Sequence, residues 1–197
     1  TSYSDVPSGS HACQTSAVIQ ITPPNAAASL FIPARLEACR GIVHVSAVLG
    51  ERAGLRDPIT LHNFYVPAGG DTPDPAVNPK FAHKLAFLDE MRACAALRCD
   101  GNRMILVGDL NVAPLEHDVW SHKQMLRVVS HTPLECEKLV AVQDAGGWID
   151  AMRMHTPEPA KLYTWWSYRS PDWQTADKGR TVSYTHLRAH ETGRNVV

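Results

Sequence analysis

The run Met104-Ile105-Leu106-Val107-Gly108-Asp109-Leu110-Asn111-Val112-Ala113-Pro114 constrains the fold of this chain more than any other stretch. An apolar segment closed by Gly, Asp, Asn and Pro reads as a buried strand with polar residues at its carboxyl end. Side chains alternate faces along a strand, so Asp109 and Asn111 are expected on one side, with Leu110 turned the other way into the core. A carboxylate and a carboxamide at a sheet edge offer hard oxygen atoms to Mg²⁺ or Mn²⁺, or to a water aimed at a phosphate. Asp and Asn after a strand equally serve to make a turn, and the motif by itself favours that plainer use.

The segments around it supply the layers. Residues 59–66 form a second candidate strand, which carries Asn63 and Tyr65 on one face before a loop over 67–77 rich in Gly and Pro. Asn78-Pro79 then opens a helix, with an N-cap followed by proline at the first helical position. Its apolar face is Phe81, Leu85, Leu88, Met91 and Ala95, and it is expected to end near Asp100-Gly101. Lys80, His83 and Lys84 read as its solvated side. With a strand at 103–107 the order is β–α–β, that of an α/β layered fold. Thr132-Pro133-Leu134-Glu135 is a capping-box signature for a short helix stopped by Gly146-Gly147. Residues 148–154 suggest one or two further helical turns, in which Trp148 and Asp150 pack and cap, and 162–166 a last strand. Upstream, 42–49 is β-branched and reads as a strand. Residues 1–40 are irregular, apart from short apolar runs at 17–21 and 29–32.

Composition narrows the class. A chain of 197 residues suits one domain with a real core. The formal net charge of −1 gives no global basic field, so any nucleic-acid binding must rest on a local patch. Five cysteines without a C-x-x-C pair fit a reduced chain better than a disulfide scaffold. No apolar run approaches membrane-spanning length and the start carries no signal segment, so the expectation is a cytoplasmic protein without membrane contact. His117, His122 and His131 lack ligand spacing and are expected at the surface. His186 and His190 are four apart, a spacing seen in metal sites, but no third ligand is near.

Taken in order, the phrases NFYVPAGGD, NPKFAHKLAFLDEM, GDLNVAP, SHTPLE, GGWIDAMR and TWWSYRS resemble the endonuclease/exonuclease/phosphatase superfamily. Within it they look like the exonuclease III branch, bacterial DNA-repair nucleases acting at abasic sites and 3′ ends. The likeness runs from about residue 59 to 180. It implies a partial four-layer α/β sandwich and a metal-dependent phosphodiesterase using Mg²⁺ (or Mn²⁺). It also implies a monomer whose partner is double-stranded DNA with an abasic site or 3′ end. By resemblance Asp109 and Asn111 are catalytic and metal-binding residues, and Tyr65 is the active-site tyrosine. Trp165 and Arg169 match the segment that meets DNA. Asn63 either adds a hydrogen bond to the site or satisfies backbone, and Trp165 and Trp166 alternate faces so that one should be core.

Departures from that pattern shape the remaining expectations. The family's opening strands, one bearing an Asn and one a metal-ligating Glu, have no counterpart in 1–40. After Lys178-Gly179-Arg180 the family leads into an Arg-Leu-Asp strand whose Asp belongs to the site, whereas here Thr181-Val182-Ser183 follows. No later Asp-His appears. Residues 182–192, VSYTHLRAHET, look like translated sequencing-adapter sequence. The sequence therefore divides into an irregular 1–40, the central part of a nuclease domain at 41–180, and a non-family tail at 181–197. As written the chain is expected to be an inactive fragment, marginal or prone to aggregate. The alternatives are another phosphoesterase of the superfamily, such as a phosphatase or sphingomyelinase-type hydrolase, a non-catalytic DNA-binding remnant, or a sequence artefact.

Overall fold

The computed structural model of the chain describes residues 15–21, 30–39, 42–49, 59–94, 103–167 and 172–188. In chain order these form β1 (Thr15–Ile21), β2 (Leu30–Cys39), β3 (Ile42–Leu49), β4 (Ile59–Tyr65), α1 (Pro79–Ala93) and β5 (Met104–Asp109). There follow α2 (His122–Met125), α3 (Pro133–Gly146), β6 (Trp148–Asp150), α4 (Ala151–His155), β7 (Trp165–Trp166), α5 (Trp173–Ala176), β8 (Gly179–Arg180) and β9 (Ser183–Arg188). Seven strands make one mixed sheet in the order β1-β2-β3-β4-β5-β9-β6, and β7 with β8 makes a separate two-stranded ribbon. The architecture is α/β, as the sequence led one to expect.

The β4–α1–β5 unit positions Tyr65, Asp109 and Asn111. β4 and β5 pair in parallel with Tyr65 beside Asp109, so both carboxyl ends open at the same edge. Asn78 caps α1: its side-chain oxygen accepts the Lys80 N–H at 3.0 Å, and its amide donates to the carbonyls of Gly69 and Thr72 across the preceding loop. Phe81, Leu85, Leu88 and Met91 are buried, as the three- and four-residue spacing requires. α1 ends at Ala93, capped by Cys94, before the predicted stop. Phe64, Leu88, Met91, Leu106, Leu110, Leu139 and Tyr184 form the main core between the sheet, α1 and α3.

Gly108 explains why the strand needs glycine where it does. A Cβ there would lie 1.9 Å from the Phe64 carbonyl oxygen, at φ +138, so only glycine lets β5 run this close to β4. α3 starts with the expected reciprocal capping box of Thr132 and Glu135 and stops at Gly147 in the left-handed conformation, φ +64.

Several expectations change. The irregular first third holds β1 and β2, whose antiparallel register is set by pairing with one another and with β3. Residues 148–154 are not one helical segment: they divide between β6 and α4, because Trp148 and Asp150 pair with Arg188 and His186 and Asp150 then caps α4. Regular strand over 162–166 is confined to the two residues of β7. Ser183–Arg188, set apart in the sequence as tail, lies between β5 and β6 as β9. Its Tyr184 hydroxyl donates to the Val112 carbonyl at 2.7 Å. Among the described residues no helix is long and apolar enough to cross a membrane.

Candidate active site

At the carboxyl ends of β4 and β5 lies an open pocket of about 760 Å³. Tyr65, Asp109, Asn111 and Trp165 all line it, joined by Asp71, Ser130, Arg180 and Val182. Four of the five residues singled out in the sequence therefore meet at one place; the fifth, Arg169, lies outside the described residues.

The Asp109–Asn111 pair makes a turn, and both side chains line the pocket. Asn111 has φ +52, so the chain leaves the strand at once and the two-residue alternation does not extend to it. Its N–H donates to Asp109 Oδ1 at 3.1 Å, the turn-type hydrogen bond typical of aspartate. Its side-chain amide donates to the Val66 carbonyl at 2.8 Å and ties β5 to the loop after β4. Leu110 is buried, as expected. The turn keeps both oxygen-bearing side chains on the pocket. Burial raises the Asp109 pKa above the ordinary carboxylate value, with the Asn111 amide and the Lys84 ammonium opposing it.

Tyr65 is 68% exposed, so its ring is not a half-buried sheet aromatic. Asn63, on the same strand face, is also exposed. Trp165 is partly exposed with the Arg180 guanidinium 4.6 Å from its ring centre, a cation–π stack at the pocket margin. Trp166 is half-buried and its indole N–H donates to Asp177 at 2.9 Å, so neither tryptophan enters the core.

Three groups escaped the sequence reading. Arg180, half-buried, reaches Ser130 Oγ at 2.6 Å and brings a cation to the pocket, although its run of residues marked only the end of the family likeness. Lys84 is not on a solvated face: its side chain is fully buried and forms an ion pair with Glu135 at 2.5 Å. A lysine among Lys80 and His83 looks solvated in sequence, and its partner sits in another helix. His131 is likewise buried rather than at the surface, donating from Nδ1 to the Ala113 carbonyl at 2.5 Å and facing His122 at 2.8 Å. His186 is buried in β9 against Gln143, and His190 lies outside the described residues.

The residue directly across the antiparallel β5–β9 pair from Asp109 is Ser183. Thr164 holds that corner, its hydroxyl accepting the N–H groups of Val182 and Ser183 at 2.9 and 3.1 Å. A metal site can be judged from the donors present. Among the described residues no three His, Cys, Asp or Glu side chains converge. Mg²⁺, however, commonly keeps several waters and needs only one or two protein carboxylates beside a substrate phosphate. The Asp109 carboxylate and the Asn111 carboxamide oxygen fit that demand.

No protein-family model matches the chain, and no curated protein does. Solved structures do. The chain is similar to an AP endonuclease from Archaeoglobus fulgidus, with 22% identity and TM-score 0.62 over 73% of this chain and 51% of that one. It is similar to a 3′-5′ exonuclease from Neisseria meningitidis at 19% identity and TM-score 0.60, over 75% of this chain and 52% of that one. A 3′ phosphatase from Neisseria bound to product DNA hairpin aligns at 17% identity and TM-score 0.62, over 91% of this chain and 60% of that one. The chain thus spans about half the length of the solved structures it matches. What this likeness establishes is the architecture: the chain has the α/β fold of these solved structures.

Proposed function

We propose that the pocket at the ends of β4 and β5 is the site of a Mg²⁺-dependent DNA-repair phosphodiesterase, of the exonuclease III or abasic-endonuclease type. The observation that carries the reading is the meeting of Tyr65, Asp109, Asn111 and Trp165 in one open pocket. The sequence phrases point to the same residues, and the fold is that of a solved AP endonuclease and a 3′-5′ exonuclease.

The chemistry follows from the groups present. Hydrolysis of a phosphodiester needs negative charge offset on the phosphate, a water delivered in line, and a stabilised leaving oxygen. Asp109 and Asn111 would hold the cation, which supplies charge neutralisation and Lewis acidity at the phosphoryl oxygen. The Tyr65 hydroxyl and the Arg180 guanidinium bring hydrogen-bond donors to the same pocket, and the Trp165 ring gives a base or sugar an apolar surface. Asp109, with its raised pKa, is suited to exchanging a proton with water or the leaving oxygen.

A labelled duplex with one abasic site, incubated with the chain and Mg²⁺, tests this. With Ser183 where the resemblance calls for a carboxylate, the expected result is slow incision at the lesion, short of full activity, that EDTA stops and added Mg²⁺ restores. Cleavage of a phosphoinositide in preference to the duplex would instead place the pocket with another phosphoesterase activity. One observation favours the reading of a non-catalytic DNA-binding remnant: Ser183, a hydroxyl, faces Asp109 where the family resemblance calls for a carboxylate. That reading predicts salt-sensitive duplex binding with no cleavage.

A further inference from the structure

Two residues that line the pocket, Asn111 and Ser130, have left-handed backbone, with φ of +52 and +97. Non-glycine residues keep such conformations where their surroundings over-determine them. Here the surroundings lead back to one buried ion pair. Lys84 Nζ donates to the Asn111 carbonyl at 2.7 Å and meets Glu135 Oε2 at 2.5 Å. Glu135 Oε1 accepts the Ser130 N–H at 2.8 Å, along with the Thr132 N–H and hydroxyl. Ser130 Oγ receives the Arg180 guanidinium, and the Ser130 carbonyl accepts the Ala113 N–H at 2.6 Å.

We propose that Lys84 and Glu135 are positioning residues for this pocket: their buried pair fixes the backbone of Asn111 and of Ser130, and through Ser130 the guanidinium of Arg180. The proposal rests on reading the pocket as the phosphodiesterase site. A helix cap needs from Glu135 only its bonds to Thr132, so the Ser130 and Lys84 contacts go beyond capping. Nor does stability by itself call for an ion pair, because well-packed apolar side chains of similar volume serve a core as well. What an ammonium and a carboxylate add is direction: several hydrogen bonds aimed at two separate backbone positions. Side chains that must hold reacting groups in register need such support.

The test compares the full chain with the double variant Lys84→Met/Glu135→Gln, which leaves no orphaned charge, and with Thr132→Val, which weakens the cap and keeps the pair. Amide hydrogen exchange is followed at Asn111 and Ser130, with the Leu139 amide of α3 as reference. In the double variant both amides are expected to exchange about tenfold or more faster relative to Leu139. In Thr132→Val the Asn111 amide keeps its protection. Single-turnover incision of an abasic duplex is expected to slow about 10²-fold in the double variant, with half-saturation moved less than about threefold. Unchanged protection of both amides in the folded double variant overturns the proposal, as does faster exchange with an unaltered incision rate. If the parent chain makes no cut, the functional reading fails while the exchange measurement still decides whether the pair positions these residues.

Discussion

At the scale of single residues, three positions carry distinct physical demands. Gly108 cannot accept a methyl group, since the Phe64 carbonyl oxygen occupies its place. Gly108→Ala should destabilise the fold by at least about 3 kcal/mol, read as a lowered urea midpoint. Lys84 makes the opposite kind of demand. Burial drives its pKa down and Glu135 opposes that, so truncating Lys84 alone leaves a carboxylate without its counter-charge. Lys84→Met should therefore cost about 3–5 kcal/mol, and removing both charges together should recover most of it. For Asp109 the consequence is in pH. Burial raises its pKa, and a carboxylate that holds the cation or takes a proton must be ionised. In the metal-free chain this carboxyl should then titrate at higher pH than an ordinary aspartate, and a carboxyl ¹³C NMR titration without Mg²⁺ checks it.

At the scale of elements, what could be read from sequence follows from how local the determinants are. The β4–α1–β5 unit was legible because an N-cap with proline, a 3.6-residue apolar period and an unbroken apolar run each act within a few residues. α3 was legible for the same reason, through Thr132 and Glu135. β1 and β2 were not, since their strands are set by pairing with each other, and neither was β9, which gains its place only between β5 and β6. The burial of Lys84 and His131 escaped for a related cause, as their partners sit in other segments. β9 carries its own prediction. Burial lowers the His186 pKa from its ordinary 6.5 to about 4, with Gln143 against Nε2. The unfolded chain takes up that proton first, so the contribution is complete above about pH 6.5 and is lost as pH falls toward 4, where the folded ring also protonates. The loss is on the order of 3 kcal/mol, and denaturant midpoints at pH 7 and pH 4.5 measure it. His186→Gln should flatten that pH dependence.

At the scale of the whole molecule, the mixed sheet and the two-stranded ribbon bring together side chains far apart in sequence at one pocket. Tyr65 comes from the end of β4, Asp109 and Asn111 from the end of β5, and Trp165 and Arg180 from the ribbon. With a formal net charge of −1, the DNA recognition proposed for this chain would fall to this local arrangement, in which Arg180 stacks on Trp165 beside two carboxylates, Asp71 and Asp109. Ser183 is the point where sheet topology and chemistry meet, because the β5–β9 register places it opposite Asp109. The most direct test is single-turnover cleavage of an abasic duplex with Mg²⁺ by the chain itself, Asp109→Asn and Ser183→Asp. The account predicts slow incision by the chain, a loss of about 10²-fold or more in Asp109→Asn, and a gain of roughly tenfold or more in Ser183→Asp. Incision that is indifferent to Asp109, or no incision by the chain and by Ser183→Asp alike, would contradict it.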